Sequence, residues 1–216
     1  MRTVVLLTQK GGTGKSTLAT SLAVAAMQAG EKVVTFDLDP QGTLAAWGGI
    51  RQGEDPAVVT VPAERTSELG AVLKNVESRF TLAIIDTAGA HTPITKAAMD
   101  LGTFALVPLR PTRPDGLAIK PTVEALIRGS KPFAFVLNQC APNARSSRAA
   151  EMAAGLGSFG LLAEPMIHMR ADFQDAFAAG QGVTEYAPKG AAADEVRGLW
   201  AWLSTKLEAG KLEAGK

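Results

Sequence analysis

Nine residues near the start of the chain, Gln9-Lys10-Gly11-Gly12-Thr13-Gly14-Lys15-Ser16-Thr17, set three glycines, two lysines and three hydroxyls at a spacing suited to holding a polyphosphate. Gly11, Gly12 and Gly14 permit backbone conformations that other residues resist, so that successive N–H groups converge on an anion. The amphipathic stretch that opens at Lys15 adds the positive end of a helix. Lys15 is placed to lie along β- and γ-phosphates, and the Ser16 hydroxyl to take one position on a magnesium ion. Thr13 and Thr17 belong to the same cradle.

Three further points carry chemistry. Asp37 and Asp39 end the apolar run Lys32 to Asp37 and enter the string Asp37-Leu38-Asp39-Pro40-Gln41-Gly42. Carboxylates there sit where open α/β sheets place ligand chemistry, although Asp before Pro is also a common turn former. Asp86 closes a second apolar run, Phe80 to Asp86, in the arrangement whose carboxylate faces the Ser16 hydroxyl and holds magnesium, usually through water. Asn138 ends a third run, Pro132 to Asn138. Its amide offers a donor and an acceptor, which suits the edge of adenine, and an Asn there also forms turns.

The elements that position these groups alternate between strand-like and helix-like stretches, which predicts an α/β fold: a P-loop NTPase with a mostly parallel, twisted sheet and helices on both faces. Strands are expected over 3–7, 32–37, 58–61, 80–86, 103–108, 132–138 and 164–167. Helices are expected over 15–29, 43–48, 66–78, from about 115 to 127, and over 144–156. Asp115 is the expected cap of the helix that runs to Ile127. The 216 residues, 46% hydrophobic and 20% charged, suffice for one compact domain. Residues 1–206 are taken as that domain and 207–216 as a flexible tail.

A net charge of +1 excludes nucleic-acid binding driven by overall charge and leaves only a local basic patch. The single cysteine, Cys140, excludes a disulfide framework, and it argues against a cysteine-ligated cluster even in a dimer. No apolar run reaches the roughly 18 residues of a membrane span. A cytoplasmic location is expected.

The loop departs from the plain phosphate-loop pattern, with Gln9 where a glycine is usual and Lys10 directly before the double glycine. In this it resembles the deviant Walker A ATPases of the ParA and MinD family, which carry two lysines in this loop. The resemblance extends to about Lys206. It includes Pro108, Pro111 and Asp115, the string Leu137-Asn138-Gln139, and a Gly-x-x-Val-x-Glu-Tyr-x-Pro turn near 181–188, whose Val183, Glu185, Tyr186 and Pro188 keep the frame.

That resemblance implies an ATP hydrolase using ATP and Mg2+, in which Lys10 reaches across a homodimer to the partner's nucleotide. Asp39 would orient or deprotonate the attacking water and stand with Ser16 and Asp86 at the magnesium site, with Asp37 supporting, and Asn138 would recognise adenine. It also implies nonspecific DNA as a partner, through Arg145, Arg148, Lys189, Arg197 and Lys206. Arg110 and Arg113 fall either in a solvated loop or at a dimer or DNA contact. A ParB-like or cargo-adaptor protein would stimulate slow turnover, and the protein would be nucleoid-associated, moving a plasmid, a chromosome or a protein assembly. Gly89, where many family members have Pro nearby, is expected to let its loop move. His168 is expected to be structural or at the surface and not catalytic, since phosphoryl transfer needs no histidine.

Two other classes remain. A MinD-like membrane-surface ATPase would need a tail richer in apolar residues than Leu207 and Leu212, so no membrane contact is expected. A metabolic P-loop ATPase would need a small-molecule pocket that no stretch advertises.

Overall fold

The computed structural model describes residues 1–90, 92–142 and 147–214, with side chains to residue 209. Among the described residues seven strands form one sheet in the order β3-β2-β4-β1-β5-β6-β7, with each pairing parallel. The strands are β1 (Arg2–Leu6), β2 (Val33–Asp37), β3 (Ala57–Thr60), β4 (Leu82–Asp86), β5 (Phe104–Leu109), β6 (Phe133–Leu137) and β7 (Leu161–Leu162). β2, β4 and β5 are buried along their whole length, the condition under which a strand reads as a continuous apolar run.

Helices cover both faces. On one side α1 (Lys15–Gln28), α8 (Ala171–Ala178), α9 (Val183–Tyr186) and α10 (Ala191–Ala214) pack over Val4, Leu6 and Ile84. α1 is buried nearly all round, because α2 (Thr43–Ile50), α9 and α10 also contact it. At Gly182 a Cβ would lie 2.5 Å from Val24 Cβ, so a glycine is needed where α9 meets α1. On the other side α3 (Leu69–Val76), α4 (Pro93–Leu101), α6 (Lys120–Arg128) and α7 (Ser147–Gly157) pack over Val5, Ile85 and Val107.

The structure corrects several expected boundaries. The helix sought from 115 to 127 is two helices, α5 (Arg113–Ala118) and α6, and α5 is capped by Thr112, whose hydroxyl accepts from the Asp115 N–H. The stretch 66–78 begins as a 3-10 turn, Ala63–Glu68, before α3. The last strand is Leu161–Leu162 instead of 164–167; Pro165 has no N–H to give a ladder. α10 continues past Lys206 to Ala214, and Leu207 is 5% exposed within the core, so the expected tail starts as packed helix.

Candidate functional site

Register brings the chemistry together. In the β1-β4-β2 ladder Leu6 pairs with Asp86 and Asp37 with Asp86, so the carboxyl ends of three neighbouring strands meet at one place. The loop 7–14 leaves β1 there and enters α1. Gly12 and Gly14 adopt positive φ, 75° and 81°, while Gly11 does not. Gly14 is the N-cap of α1, with no side chain capping the helix and no acidic residue in its first turn. The first N–H groups of α1, including those of Lys15, Ser16 and Thr17, therefore face the loop without an acidic competitor, as an anion requires.

Lys15 is buried, and its Nζ donates to Thr8 Oγ1 at 3.2 Å. Thr8 also donates to the Lys10 carbonyl at 2.9 Å and lies 3.3 Å from Thr13 Oγ1, which makes it the hub of the loop. Burial lowers the Lys15 pKa, opposed by the charges of Asp86 and Asp39. Thr8 went unnoticed in the sequence, because a single Thr at a strand end carries no distinguishing pattern.

Asp86 is fully buried, and neither carboxylate oxygen has a hydrogen-bond partner among the described residues. Burial pushes its pKa up to about 7, against the Ser16 hydroxyl and Lys15, and with Asp37 and Asp39 adding repulsion. A buried carboxylate with uncommitted oxygens beside a Ser hydroxyl and a Lys suits a divalent cation, so the residues present fit magnesium. Asp37 accepts from the Asp39 N–H at 3.0 Å and the Ala45 N–H at 2.8 Å, which ties down the Asp39 turn and the start of α2. Burial raises its pKa, although those N–H groups oppose the shift. Asp39 is half-exposed, and its Oδ1 accepts from the Gln41 N–H at 3.0 Å.

The two lysines of the loop diverge. Lys10 Nζ lies 2.5 Å from Asp115 Oδ1. Asp115 also receives Arg110 Nε at 2.7 Å and Arg110 Nη2 at 3.1 Å. Burial would raise the Asp115 pKa, but Arg110 and Lys10 bring it down to about 2. Asp115 is thus an anchor for Lys10 and Arg110, and the capping role expected of it belongs to Thr112.

Asn138 sits 6% exposed beside the loop. Its Nδ2 donates to the Thr13 carbonyl at 2.8 Å and its Oδ1 accepts from the Gln139 N–H at 2.9 Å. A Cβ on Gly14 would lie 2.5 Å from that Nδ2. In this structure the amide braces the phosphate loop with both of its ends, and Gln139 Nε2 adds a bond to the Gly12 carbonyl at 3.2 Å. Next to this brace a cavity of about 170 Å³ is lined by Gly14, Thr17, Gln139, His168, Arg170 and Phe173, among others.

The basic residues singled out for DNA do not gather in one place. Lys189 and Arg197 are exposed neighbours, since Arg197 Nη2 donates to the Pro188 carbonyl and to Asp194, each at 2.7 Å. Lys206 lies over the Trp202 ring at 5.4 Å. Arg148 is on α7, in the opposite helical layer, and Arg145 lies outside the described residues. Arg113 is exposed. A bidentate pair missed in the sequence, Arg51 to Glu185 at 2.8 Å on both arms, ties the end of α2 to the turn at α9.

Comparison with known proteins agrees with this geometry. A family model described as the CobQ/CobB/MinD/ParA nucleotide binding domain matches residues 4–183. The maintenance of carboxysome distribution protein A of Halothiobacillus neapolitanus is 29% identical over 204 residues, covering 90% of this chain and 92% of that protein. The chromosome partitioning protein ParA of Caulobacter vibrioides is 29% identical over 143 residues, 66% of this chain and 49% of that protein, so the match spans about half of its length. Among solved structures, apo McdA from Cyanothece superposes with a TM-score of 0.78 at 18% identity, covering 94% of this chain and 99% of that one. MinD from Pyrococcus furiosus gives 0.74 at 23% identity, covering 94% and 98%. At these identities the likeness shows the fold.

Proposed function

The chain belongs to the CobQ/CobB/MinD/ParA nucleotide-binding family of ATPases, and on that premise we propose that it is a positioning ATPase whose dimerisation is switched by ATP. The carrying observation is the divergence of the two lysines. Lys15 lies inside its own phosphate loop, whereas Lys10 turns away from that loop to Asp115 and is 37% exposed. A lysine held outside its own site is available to a second copy's nucleotide once its Asp115 contact is exchanged.

Ser16 and Asp86 would hold the magnesium ion, which supplies charge neutralisation at the phosphates. Lys15 places its charge on the β- and γ-phosphate oxygens, and the N–H groups at the start of α1 orient them. Asp39, half-exposed on a turn fixed by Asp37, is the base or orienting group for the attacking water. The dimer binds DNA without sequence preference, through Lys189, Arg197 and their counterparts in the second copy, with avidity from the doubling. Hydrolysis, stimulated by a ParB-like or cargo-adaptor protein, releases it. Relatives named for chromosome and carboxysome distribution support the positioning role. Leu207 is packed in the core, which takes one of the tail's two large apolar residues away from any membrane contact.

The test is sizing of the protein with ADP and with a slowly hydrolysed ATP analogue, with and without duplex DNA, beside Lys10→Ala. The analogue should give a dimer that retains DNA at low salt and loses it steeply as salt rises, and Lys10→Ala should stay monomeric. A size unaffected by nucleotide would remove the switch.

A further inference from the structure

Two opposite charges are buried within reach of each other's field at the phosphate loop and do not pair. Lys15 and Asp86 are both inside, and Asp86 acts on the ammonium more strongly than Asp39 does. Yet neither oxygen of Asp86 has a hydrogen-bond partner of normal geometry among the described residues. Lys15 Nζ donates instead to a neutral hydroxyl, Thr8 Oγ1, at 3.2 Å. A buried lysine and carboxylate left to themselves gain by closing on each other, since each is otherwise an uncompensated charge, so their separation needs a cause.

Thr8 supplies that cause. It stands just past β1 and is buried. A threonine hydroxyl has one proton and two lone pairs, and here the proton goes to the Lys10 carbonyl at 2.9 Å. Both lone pairs are therefore left to accept. One takes the Lys15 ammonium, and Thr13 Oγ1, 3.3 Å away, donates to the other. The hydroxyl is thus held by loop backbone on one side and by a second hydroxyl on another, and towards Lys15 it acts only as an acceptor. Asp39 is a weaker competitor for the lysine, because its Oδ1 is already taken by the Gln41 N–H.

We propose that Thr8 is a positioning residue for Lys15, a neutral acceptor that holds the ammonium in the loop and off Asp86 until phosphate oxygens take its place. This rests on the phosphate loop being the nucleotide site. Both charges are then kept available, Asp86 for a divalent cation and Lys15 for a polyphosphate. The exchange is easy, because an incoming phosphate displaces one long hydrogen bond to a neutral oxygen and not a buried ion pair. Without the hydroxyl, Lys15 turns to Asp86, and a nucleotide has to break that pair before it can bind.

The experiment measures binding of the β,γ-imido analogue of ATP to the full chain in EDTA, so that no cation holds Asp86. The proteins are wild type, Thr8→Val, Thr8→Ser, Asp86→Asn, the double variant Thr8→Val with Asp86→Asn, and Lys15→Ala. Ligand-free melting temperatures show that each is folded, and Thr8→Ala stands in should Thr8→Val not fold. Thr8→Val should bind about tenfold more weakly than wild type, and Thr8→Ser should stay within about twofold of it. In the Asp86→Asn background, where the capturing carboxylate is gone, Thr8→Val should weaken binding by less than about twofold. A hydroxyl that merely shapes the loop through Lys10 and Thr13 would weaken binding equally in both backgrounds, and that result overturns the proposal. Wild-type affinity in Thr8→Val overturns it as well. Equal binding by Lys15→Ala and wild type would instead overturn the phosphate-loop site, and this inference with it.

Discussion

Asp86 and Asp115 are both almost entirely buried near the loop that carries the two lysines, yet their electrostatics are opposite. Among the described residues Asp86 has no hydrogen bond within normal length and angle, the Ser16 hydroxyl lies near enough only to oppose the shift in part, and burial pushes its pKa up to about 7. Asp115 has both oxygens taken by Arg110 and Lys10 and is pulled down to about 2. Burial alone therefore does not decide what a carboxylate does here; committed partners do. The uncommitted group suits a bound cation, and the committed one stores a lysine.

The sharpest way to break this contrast is Asp86→Asn. Without the carboxylate, magnesium-dependent ATP turnover should fall by about a hundredfold or more, read as phosphate release. The same variant should stabilise the ligand-free protein at high pH. Because the folded pKa lies above the unfolded value, ionising Asp86 costs the fold stability as pH rises from about 4 to about 7. Asn is free of that cost, so its melting temperature should exceed that of wild type at pH 8 and match it near pH 4. Equal pH profiles would mean that Asp86 is not held in the state described.

Asp115→Asn tests the other side. Its folded pKa lies below the unfolded value, so its stabilisation is present above about pH 4 and is lost as pH falls toward 2. The variant should be less stable than wild type by about 1–3 kcal/mol at neutral pH, with the gap closing near pH 2, in chemical denaturation. A double-mutant cycle with Lys10→Ala isolates the pair, with an expected coupling of about 1 kcal/mol.

Much of this arrangement was legible in the sequence, and what was not has a physical cause. β1, β2, β4, β5 and β6 were readable to within a residue or two because central parallel strands are continuous apolar runs, and the loop 9–17 because its glycines and lysines are contiguous. The partners of Asp115 were not readable in full: Arg110 is five residues away, but Lys10 is 105 away, and only the fold of β1 beside β5 joins them. The same holds for Asn138, whose type and position at a strand end were plain. Its commitment to Thr13, 125 residues distant, depends on how closely Gly14 lets the loop approach. Residue type gives a group's capacity, and packing decides whether that capacity is used.

Asn138→Ala sharpens this point at smaller scale. It removes the brace on the Thr13 carbonyl, and ATP affinity should fall by about three- to tenfold through a looser loop, as one lost hydrogen bond allows. An unchanged affinity would mean that the phosphate loop holds its shape without this bond.

The smallest expected effect joins the two carboxylates. The loop after Asp86 lays Gly89 on the phosphate loop, where a Cβ would lie 3.0 Å from the Gly11 nitrogen and 3.1 Å from the Lys10 carbonyl carbon. Gly89 does not have a positive φ, so its need for glycine comes from this close approach and not from a left-handed backbone. Gly89→Ala must displace backbone on both sides by a few tenths of an ångström, at a cost of about 1 kcal/mol in denaturation. Because Lys10 leaves that backbone for Asp115, the Lys10–Asp115 coupling measured by the same double-mutant cycle should shrink in the Gly89→Ala background. An undiminished coupling would mean that the loop after Asp86 and the store of Lys10 move independently, and that the two carboxylates share a neighbourhood without a mechanical link.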